Sequence, residues 1–452
     1  MESTVAAIST GQAPGGIGIV RISGRKALSI ADCVFQGNGK LCEAKGYTAH
    51  YGNFVDQDGV FDEGIALVFR SPKSYTGEDV VELSCHGGLY LTQRLLRAVL
   101  YAGAEPAGPG EFTQRAFLNG KMSLTAAESV MDLIGAQGEK AAKAALAARD
   151  GALQKKIDRI RQALVTVAAH LNGWADYPEE DLPAVENGEL LHTLNEIKNE
   201  LDYLLYHFDT GAAIRTGVET VILGKPNVGK STLMNLLSGC EKSIVSPIAG
   251  TTRDIVEETV RLGDVLLRLA DTAGLREAKD QVEAIGVTRA EQRMERAGLI
   301  LAVLDGSEPL SLEDQKMLDQ VKGKPMIAII NKNDLPQKIA EADIAPYTNH
   351  IVTLSAQQGN GLERLTETIE TVLGTKDWNP AEGMLATERQ RRAAIRSRES
   401  IQAAIIALQD GMTLDAVTVE IETAIDALLE LTGEHVADSI INEIFSQFCV
   451  GK

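Results

Sequence analysis

Disulfide and zinc patterns are missing from this chain. Its five cysteines, Cys33, Cys42, Cys85, Cys240 and Cys449, form no C-x-x-C and no zinc spacing. An odd, unpatterned set reads as reduced thiols, which implies a cytoplasmic protein. Positive charge is short as well. The formal net charge is −19 over 452 residues, which excludes a protein that coats nucleic acid with its whole surface. Any RNA contact must be a local basic patch or be shared with a partner. No run of 18 or more apolar residues occurs, so no spanning helix is expected. No apolar stretch follows a basic one at the N-terminus, so no signal peptide is expected. Repeats of 20–50 residues and long low-complexity tracts are absent too. No G-x-G-x-x-G opens a strand-to-helix turn, so a bound FAD is not expected in this chain. What is left is ordinary globular composition, 44% hydrophobic and 24% charged, with length for two to four domains.

What the chain does have is centred on Gly224-Lys225-Pro226-Asn227-Val228-Gly229-Lys230-Ser231, which fits G-x-x-x-x-G-K-[ST]. A strand is predicted before it (Glu219 to Leu223) and a helix after it (Ser231 to Leu237). In that setting the backbone N–H groups of Asn227, Val228, Gly229, Lys230, Ser231 and Thr232 can cradle phosphates. Lys230 reaches the β- and γ-phosphates, and Ser231 offers its hydroxyl to Mg²⁺.

Four more stretches follow in order. Ser246-Pro247-Ile248-Ala249-Gly250-Thr251-Thr252 is loop-like, with threonines able to close over the γ-phosphate and complete the Mg²⁺ shell. Asp271-Thr272-Ala273-Gly274 ends an apolar run, where the aspartate can hold Mg²⁺ through water. Asn331-Lys332-Asn333-Asp334 follows the strand Met326 to Ile330. Asp334 can accept from guanine N1–H and the exocyclic amine, which selects GTP over ATP. Ser355-Ala356 supplies a backbone N–H for guanine O6. Where Ras-like enzymes place a water-orienting glutamine, this chain has Leu275, and an aliphatic side chain cannot orient water. Arg253 and Arg276 are nearby, but the sequence marks no clear arginine finger. The Asn227 amide oxygen, with backbone carbonyls from Ser246 to Thr251, offers a seat for K⁺ that would offset charge developing between the β- and γ-phosphates.

The rest divides by texture. Residues 1–121 read as mixed α/β, with short β-branched runs and glycine turns. Residues 122–210 read as long helices. Strands alternate with helices over 211–377, the pattern of a parallel sheet with crossover helices. Residues 378–452 are helical again. The simplest architecture is multidomain, α/β and all-α: an N-terminal α+β domain, a discontinuous helical domain, and a Ras-like P-loop G domain inserted into it. An arginine run (Arg389, Arg391, Arg392, Arg396, Arg398) and a second cluster (Lys155, Lys156, Arg159, Arg161) are candidate RNA faces or solvated helix faces.

The whole chain resembles the MnmE (TrmE) family of tRNA-modification GTPases. The matching stretches are Arg21-Ile22-Ser23-Gly24, Ser74 to Leu83, His86-Gly87-Gly88, Pro109 to Lys121, Asp271 to Glu277 and the tail Phe448-Cys449-Val450-Gly451-Lys452. Pro109 to Lys121 and the tail are the most specific, because no generic GTPase needs them. The resemblance implies an N-terminal domain that binds a tetrahydrofolate and dimerises. It implies a K⁺-dependent GTPase that acts as a homodimer and works with the FAD-dependent partner MnmG (GidA). That pair adds an aminomethyl or carboxymethylaminomethyl group to C5 of the tRNA wobble uridine. The carbon comes from 5-formyl- or 5,10-methylene-tetrahydrofolate, and FAD enters only through the partner.

Carried over motif by motif, Arg21, Glu82, Lys121 and Lys452 contact the folate, and Cys449 lies near its reactive carbon. Asn227, Ser246, Ile248 and Thr251 bind K⁺; Ser231 and Thr252 bind Mg²⁺. Glu283 positions the attacking water, with Lys230 and Thr251 also in the catalytic set. A different class remains open from the residues alone: a GTP-switched RNA or ribosome assembly factor without modification chemistry of its own.

Overall fold

A computed structural model describes residues 3–11, 13–176, 187–239, 258–270, 294–295 and 297–452. The chain forms two compact units, Met1–Met131 with Ile425–Lys452, and Asp132–Ala424.

The first unit holds a seven-stranded sheet. Its elements run β1 (Val5–Ile8), β2 (Ile17–Ser23), α1 (Ala27–Val34), β3 (Phe35–Gly37), β4 (Thr48–Asp56), β5 (Gly59–Phe69), β6 (Val80–His86), α2 (Leu89–Tyr101), β7 (Glu105–Pro106) and α3 (Glu111–Leu118). The order is β3-β4-β5-β6-β2-β1-β7, antiparallel except for β1 against β7. Alternation decides the faces. Val20, Ile22, Val81, Leu83 and Cys85 are buried in the core that α1 and α2 cover, through residues such as Leu28, Ala31, Leu95 and Val99. Full burial of a side chain such as Leu95 stabilises the unit by about 2 kcal/mol. Arg21 and Glu82 stand opposite each other across β2 and β6. A slip of one residue would carry both charges into the core, so the apolar pattern fixes the register that pairs them.

The chain's end is part of this unit. A helix at Asp438–Ser446 lays Ile441 and Phe445 against Leu124 and Ala127, with Phe448 beside them. Pro109 then bridges Val450, and the Phe112 N–H donates to the Lys452 carbonyl at 3.1 Å. Gly451 sits at φ 96° and a Cβ there would collide with the Ile8 carbonyl. Only glycine meets both conditions.

The second unit begins with helices: α4 (Leu124–Gly135) enters it, then α5 (Glu139–Arg149), α6 (Ala152–Asp176), α7 (Asn187–Tyr206) and α8 (Phe208–Thr216). The predicted long helical run is broken at Gly138 and Gly151. The sheet elements follow: β8 (Val218–Leu223), α9 (Lys230–Gly239), β9 (Glu258–Leu262), β10 (Val265–Ala270), β11 (Leu299–Asp305), α10 (Leu312–Gln320), β12 (Met326–Asn331), α11 (Glu341–Ile344), β13 (Ile351–Thr353) and α12 (Leu362–Val372). Then come α13 (Glu388–Gln409) and α14 (Leu414–Thr432), and the Asp438–Ser446 helix is α15. Helix α13 packs on α7, on the far side of the sheet segment in sequence. Its buried Ala393, Ile401, Ala404 and Ile405 are at helix spacing, as are Leu190, Leu194, Ile197 and Leu201 of α7. The helical domain is therefore discontinuous, with the α/β domain inserted.

The sheet order is β13-β12-β11-β8-β10-β9. Five strands are parallel, but β9 runs antiparallel to β10. The expected parallel sheet with crossover helices is there, and β9 is an antiparallel addition at its edge. Leu262 and Val265 are partners, so only Gly263 and Asp264 join the two strands, and a two-residue connection makes a hairpin, never a crossover. Every residue of β11 and β12 is buried, as befits central strands covered on both faces. Parallel β8, β11, β12 and β13 all end at one edge of the sheet. That edge receives the three described nucleotide stretches, at 224–231, 331–334 and 355–356.

Candidate guanine-nucleotide site

The phosphate loop links β8 to α9. Asn227 takes φ 67°, the left-handed region that asparagine tolerates better than most residues. Its side chain is exposed on the loop's rim, as are Ser231 and Thr232 at the start of α9, while Val228 is buried. Lys230 Nζ donates to the Gly224 carbonyl at 2.8 Å and to the Lys225 carbonyl at 2.6 Å. Those carbonyls hold the ammonium at the mouth of the loop.

Asn331 assembles the base side. Its Nδ2 donates to the Val228 carbonyl at 2.8 Å, and its Oδ1 accepts from the Ala356 N–H at 2.9 Å. One buried amide thus ties the phosphate loop to the Ser355-Ala356 turn. Gly229 permits the approach: at φ 99° a Cβ would collide with Asn331 Nδ2. Of the two N–H groups in the Ser355-Ala356 stretch expected to serve guanine O6, that of Ala356 donates to Asn331 and that of Ser355 to the Asn360 carbonyl at 3.0 Å. Asp334 is exposed at the same edge, and its Oδ1 accepts from Ser355 Oγ at 2.6 Å. That bond orients the carboxylate whose other oxygen can meet a guanine.

Lys332 Nζ pairs with Asp305 Oδ2 at 2.5 Å. Burial pushes the Asp305 carboxyl up, but hydrogen bonds from Lys332 and Ser307 outweigh it and hold the group below the usual carboxylate range. Asp305 was not singled out in the sequence. Its place at the end of a fully apolar strand, Leu299 to Leu304, was the available signal.

Several expected residues lie outside the described residues: Ser246, Pro247, Ile248, Ala249, Gly250, Thr251, Thr252, Arg253, Asp271, Thr272, Ala273, Gly274, Leu275, Arg276 and Glu283.

In the first unit, Arg21 Nη2 and Glu82 Oε1 pair at 2.8 Å, with side chains 16% and 19% exposed. Arg21 also lies 5.6 Å from the Tyr75 ring centre and 5.4 Å from that of Phe112, and its Nη1 donates to the Gly451 carbonyl at 3.5 Å. The structure thus brings Arg21, Glu82 and the tail together. Lys121 donates to the Pro72 carbonyl at 3.0 Å. Cys449 is exposed, and its carbonyl accepts from the Gly110 N–H at 3.3 Å. Sequence reading gave no role to Arg115. It is 1% exposed and pairs with Glu78 at 3.1 Å and Glu111 at 2.7 Å, while donating to the Ser3 carbonyl at 2.9 Å. The Glu111–Arg115 spacing of four on a helix was its signal. At the end of β6, His86 Nδ1 meets Asp62 Oδ1 at 2.6 Å, and that hydrogen bond pushes the His86 pKa up.

The arginine run is not a bare basic face. Arg391 and Arg392 meet Glu388 at 3.3 and 3.7 Å, and Arg398 meets Asp202 at 3.5 Å. Arg159 meets Glu200 at 2.7 Å and Arg161 meets Asp158 at 3.0 Å.

Two family models match this chain. One, described as the MnmE helical domain, covers residues 124–449; the other, the GTP-binding protein TrmE N-terminus, covers residues 4–121. The tRNA modification GTPase MnmE of Lactobacillus gasseri is 41% identical over 99% of this chain and 98% of its own length. That of Thermoanaerobacter pseudethanolicus is 40% identical over 99% of each, and that of Clostridioides difficile 39% over 100% of each. A solved structure of an Aquifex aeolicus Era variant bound to GDP and AlF4⁻ is 31% identical over 41% of this chain and 67% of its own, at a TM-score of 0.28, too low to support a statement about this chain. Similarity at this level along the whole length means that the chain belongs to the MnmE family, and it is a GTPase of tRNA modification.

Proposed function

We propose that this GTPase is K⁺-dependent and Mg²⁺-dependent, works as a cytoplasmic homodimer with the FAD-dependent MnmG (GidA), and helps to build an aminomethyl or carboxymethylaminomethyl group on C5 of the wobble uridine of tRNA from a tetrahydrofolate one-carbon unit. The observation that carries the nucleotide half is Asn331. It gathers the phosphate loop and the Ser355-Ala356 turn beside Asp334, so phosphate and guanine contacts lie along one sheet edge.

The residues fit the groups this reading needs. An amide oxygen on Asn227, exposed at the loop's rim, suits a monovalent cation, with Ser246, Ile248 and Thr251 as the proposed companions. The Ser231 hydroxyl, exposed on the first turn of α9, suits Mg²⁺, with Thr252 as its second protein ligand. Bound there, the two cations supply positive charge beside the phosphates. Lys230 leaves its two carbonyls for the β- and γ-phosphates. Asp334 accepts from guanine N1–H and the exocyclic amine. Glu283 orients the attacking water, the task Leu275 cannot perform.

A planar pterin suits the surface beside Arg21 and Glu82, where the Tyr75 ring is 37% exposed; the buried Phe112 backs the Arg21 guanidinium from within. Glu82 is the acceptor for the pterin's amino and N–H groups, and Arg21, Lys121 and Lys452 pair with its carbonyl and anionic groups. Cys449 lies on the tail that closes on Arg21. Arg21→Ala is expected to weaken 5-formyl-tetrahydrofolate binding about ten- to a hundredfold, the loss of one charged hydrogen-bond partner. Calorimetry well below the melting temperature reads it. Wild-type affinity would remove the folate role from this pair.

A further inference from the structure

Lys225 occupies a position in the phosphate loop from which no phosphate contact is expected. Its side chain turns away from the loop and enters the N-terminus of α10. Nζ donates to Asp314 Oδ2 at 2.8 Å and to Ser311 Oγ at 3.0 Å. That helix already has a complete capping box. Asp314 Oδ2 accepts from the Ser311 N–H at 3.0 Å and from Ser311 Oγ at 2.7 Å, and Ser311 Oγ accepts from the Asp314 N–H at 3.3 Å. A capping box needs no cation. The Asp314 carboxylate needs one, because its side chain is 3% exposed and its Oδ1 has no hydrogen-bond partner among the described residues.

The backbone of Lys225 points the other way. Its carbonyl is one of the two that hold Lys230 Nζ. Lys225 therefore pins the loop's entrance to α10 and carries a rest for the phosphate-binding ammonium. Asn331 pins the loop again at Val228. Only Pro226 and Asn227 lie between the two anchors. The hydrogen bond to Asp314 pushes the Lys225 pKa up, so the tether stays charged through neutral pH.

We propose that Lys225 is a positioning residue of the GTPase, a second tether that holds the phosphate loop in its nucleotide-ready shape through the buried Asp314. The proposal rests on the reading of 224–231 as the phosphate loop. A pre-shaped loop serves GTP, GDP and the transition state alike, so losing the tether weakens binding uniformly and spares the chemical step.

Lys225→Met alone would strand a buried carboxylate, so the test pairs it with Asp314→Asn in the full-length protein. Asparagine keeps an acceptor for Ser311 and removes the charge. The expected result is a folded protein with KM for GTP and Kd for GDP raised about tenfold and kcat within about twofold of wild type. Lys225→Arg, with Asp314 intact, is expected to return both constants toward wild type. Lys225→Gln keeps a donor without the charge and is expected to raise both constants. Wild-type KM and Kd in the folded double variant, or a fall in kcat at unchanged KM, would overturn the tether. Lys230→Ala is the control. Normal GTP binding by that variant would overturn the phosphate-loop reading itself, whereas its loss of binding beside a normal double variant would overturn only the tether.

Discussion

Lys230→Ala should lose GTP turnover almost completely, with kcat/KM down by about a thousandfold or more. Two or three charge-assisted hydrogen bonds to phosphate are removed at once, and each contributes roughly 1.5–3 kcal/mol. No other lysine of the described site can substitute. Lys225 is bound to Asp314 and Lys332 to Asp305, so the other two lysines of the described site are engaged elsewhere. The fold should survive, because Lys230 rests on two backbone carbonyls at the loop's mouth, outside the apolar core. Steady-state hydrolysis and binding of a fluorescent GTP analogue check this. Turnover within tenfold of wild type would mean that another cation meets the phosphates.

Exchange of Na⁺ for K⁺ should raise GTP turnover about ten- to a hundredfold, the scale of one well-placed group stabilising transition-state charge. Leu275 stands where a Ras-like glutamine would orient water, and the sequence marks no arginine finger. A bound cation would supply the catalytic charge that an arginine finger supplies elsewhere. Asn227 is suited to bring it: it is polar, exposed on the loop's rim, and held in the left-handed conformation between two anchored segments. Asn227→Ala should abolish the difference between the two salts while leaving GDP binding nearly intact. Hydrolysis measured in matched KCl and NaCl reads both effects. Equal wild-type rates in the two salts would remove the cation from the mechanism.

Legibility in the sequence followed the range of the interactions. The phosphate loop, its strand and its helix are contiguous, so spacing sufficed to place them. Asn331-Lys332-Asn333-Asp334 announced guanine, yet only the fold reveals that Asn331 joins two loops and that Lys332 serves Asp305. Both pairings depend on which strands are neighbours, and β11 lies between β8 and β12 by topology alone. The β9–β10 hairpin was missed although Gly263-Asp264 was in view, because alternating strands and helices elsewhere favoured crossovers. Arg21 and Glu82 could be read as folate ligands or as salt-bridge partners. Register makes them partners first, and any folate must share that ion pair. Arg115 escaped notice because its partners are scattered: Glu111 is one turn away, but Ser3 and Glu78 come from the start of the chain and from the loop before β6. The tail stood out as unusual, but its seat against Ile8 and Phe112 could not be read from five residues at the end of the chain.

The most direct test of the whole account joins the GTPase to the tRNA. Wobble uridines are analysed by mass spectrometry in wild-type cells, in cells lacking this protein, and in cells whose chromosomal copy carries Lys230→Ala. The account predicts that the variant accumulates unmodified wobble uridine to the same extent as the deletion, with the protein present at normal level. Full C5 modification in cells whose only copy cannot hydrolyse GTP would contradict it.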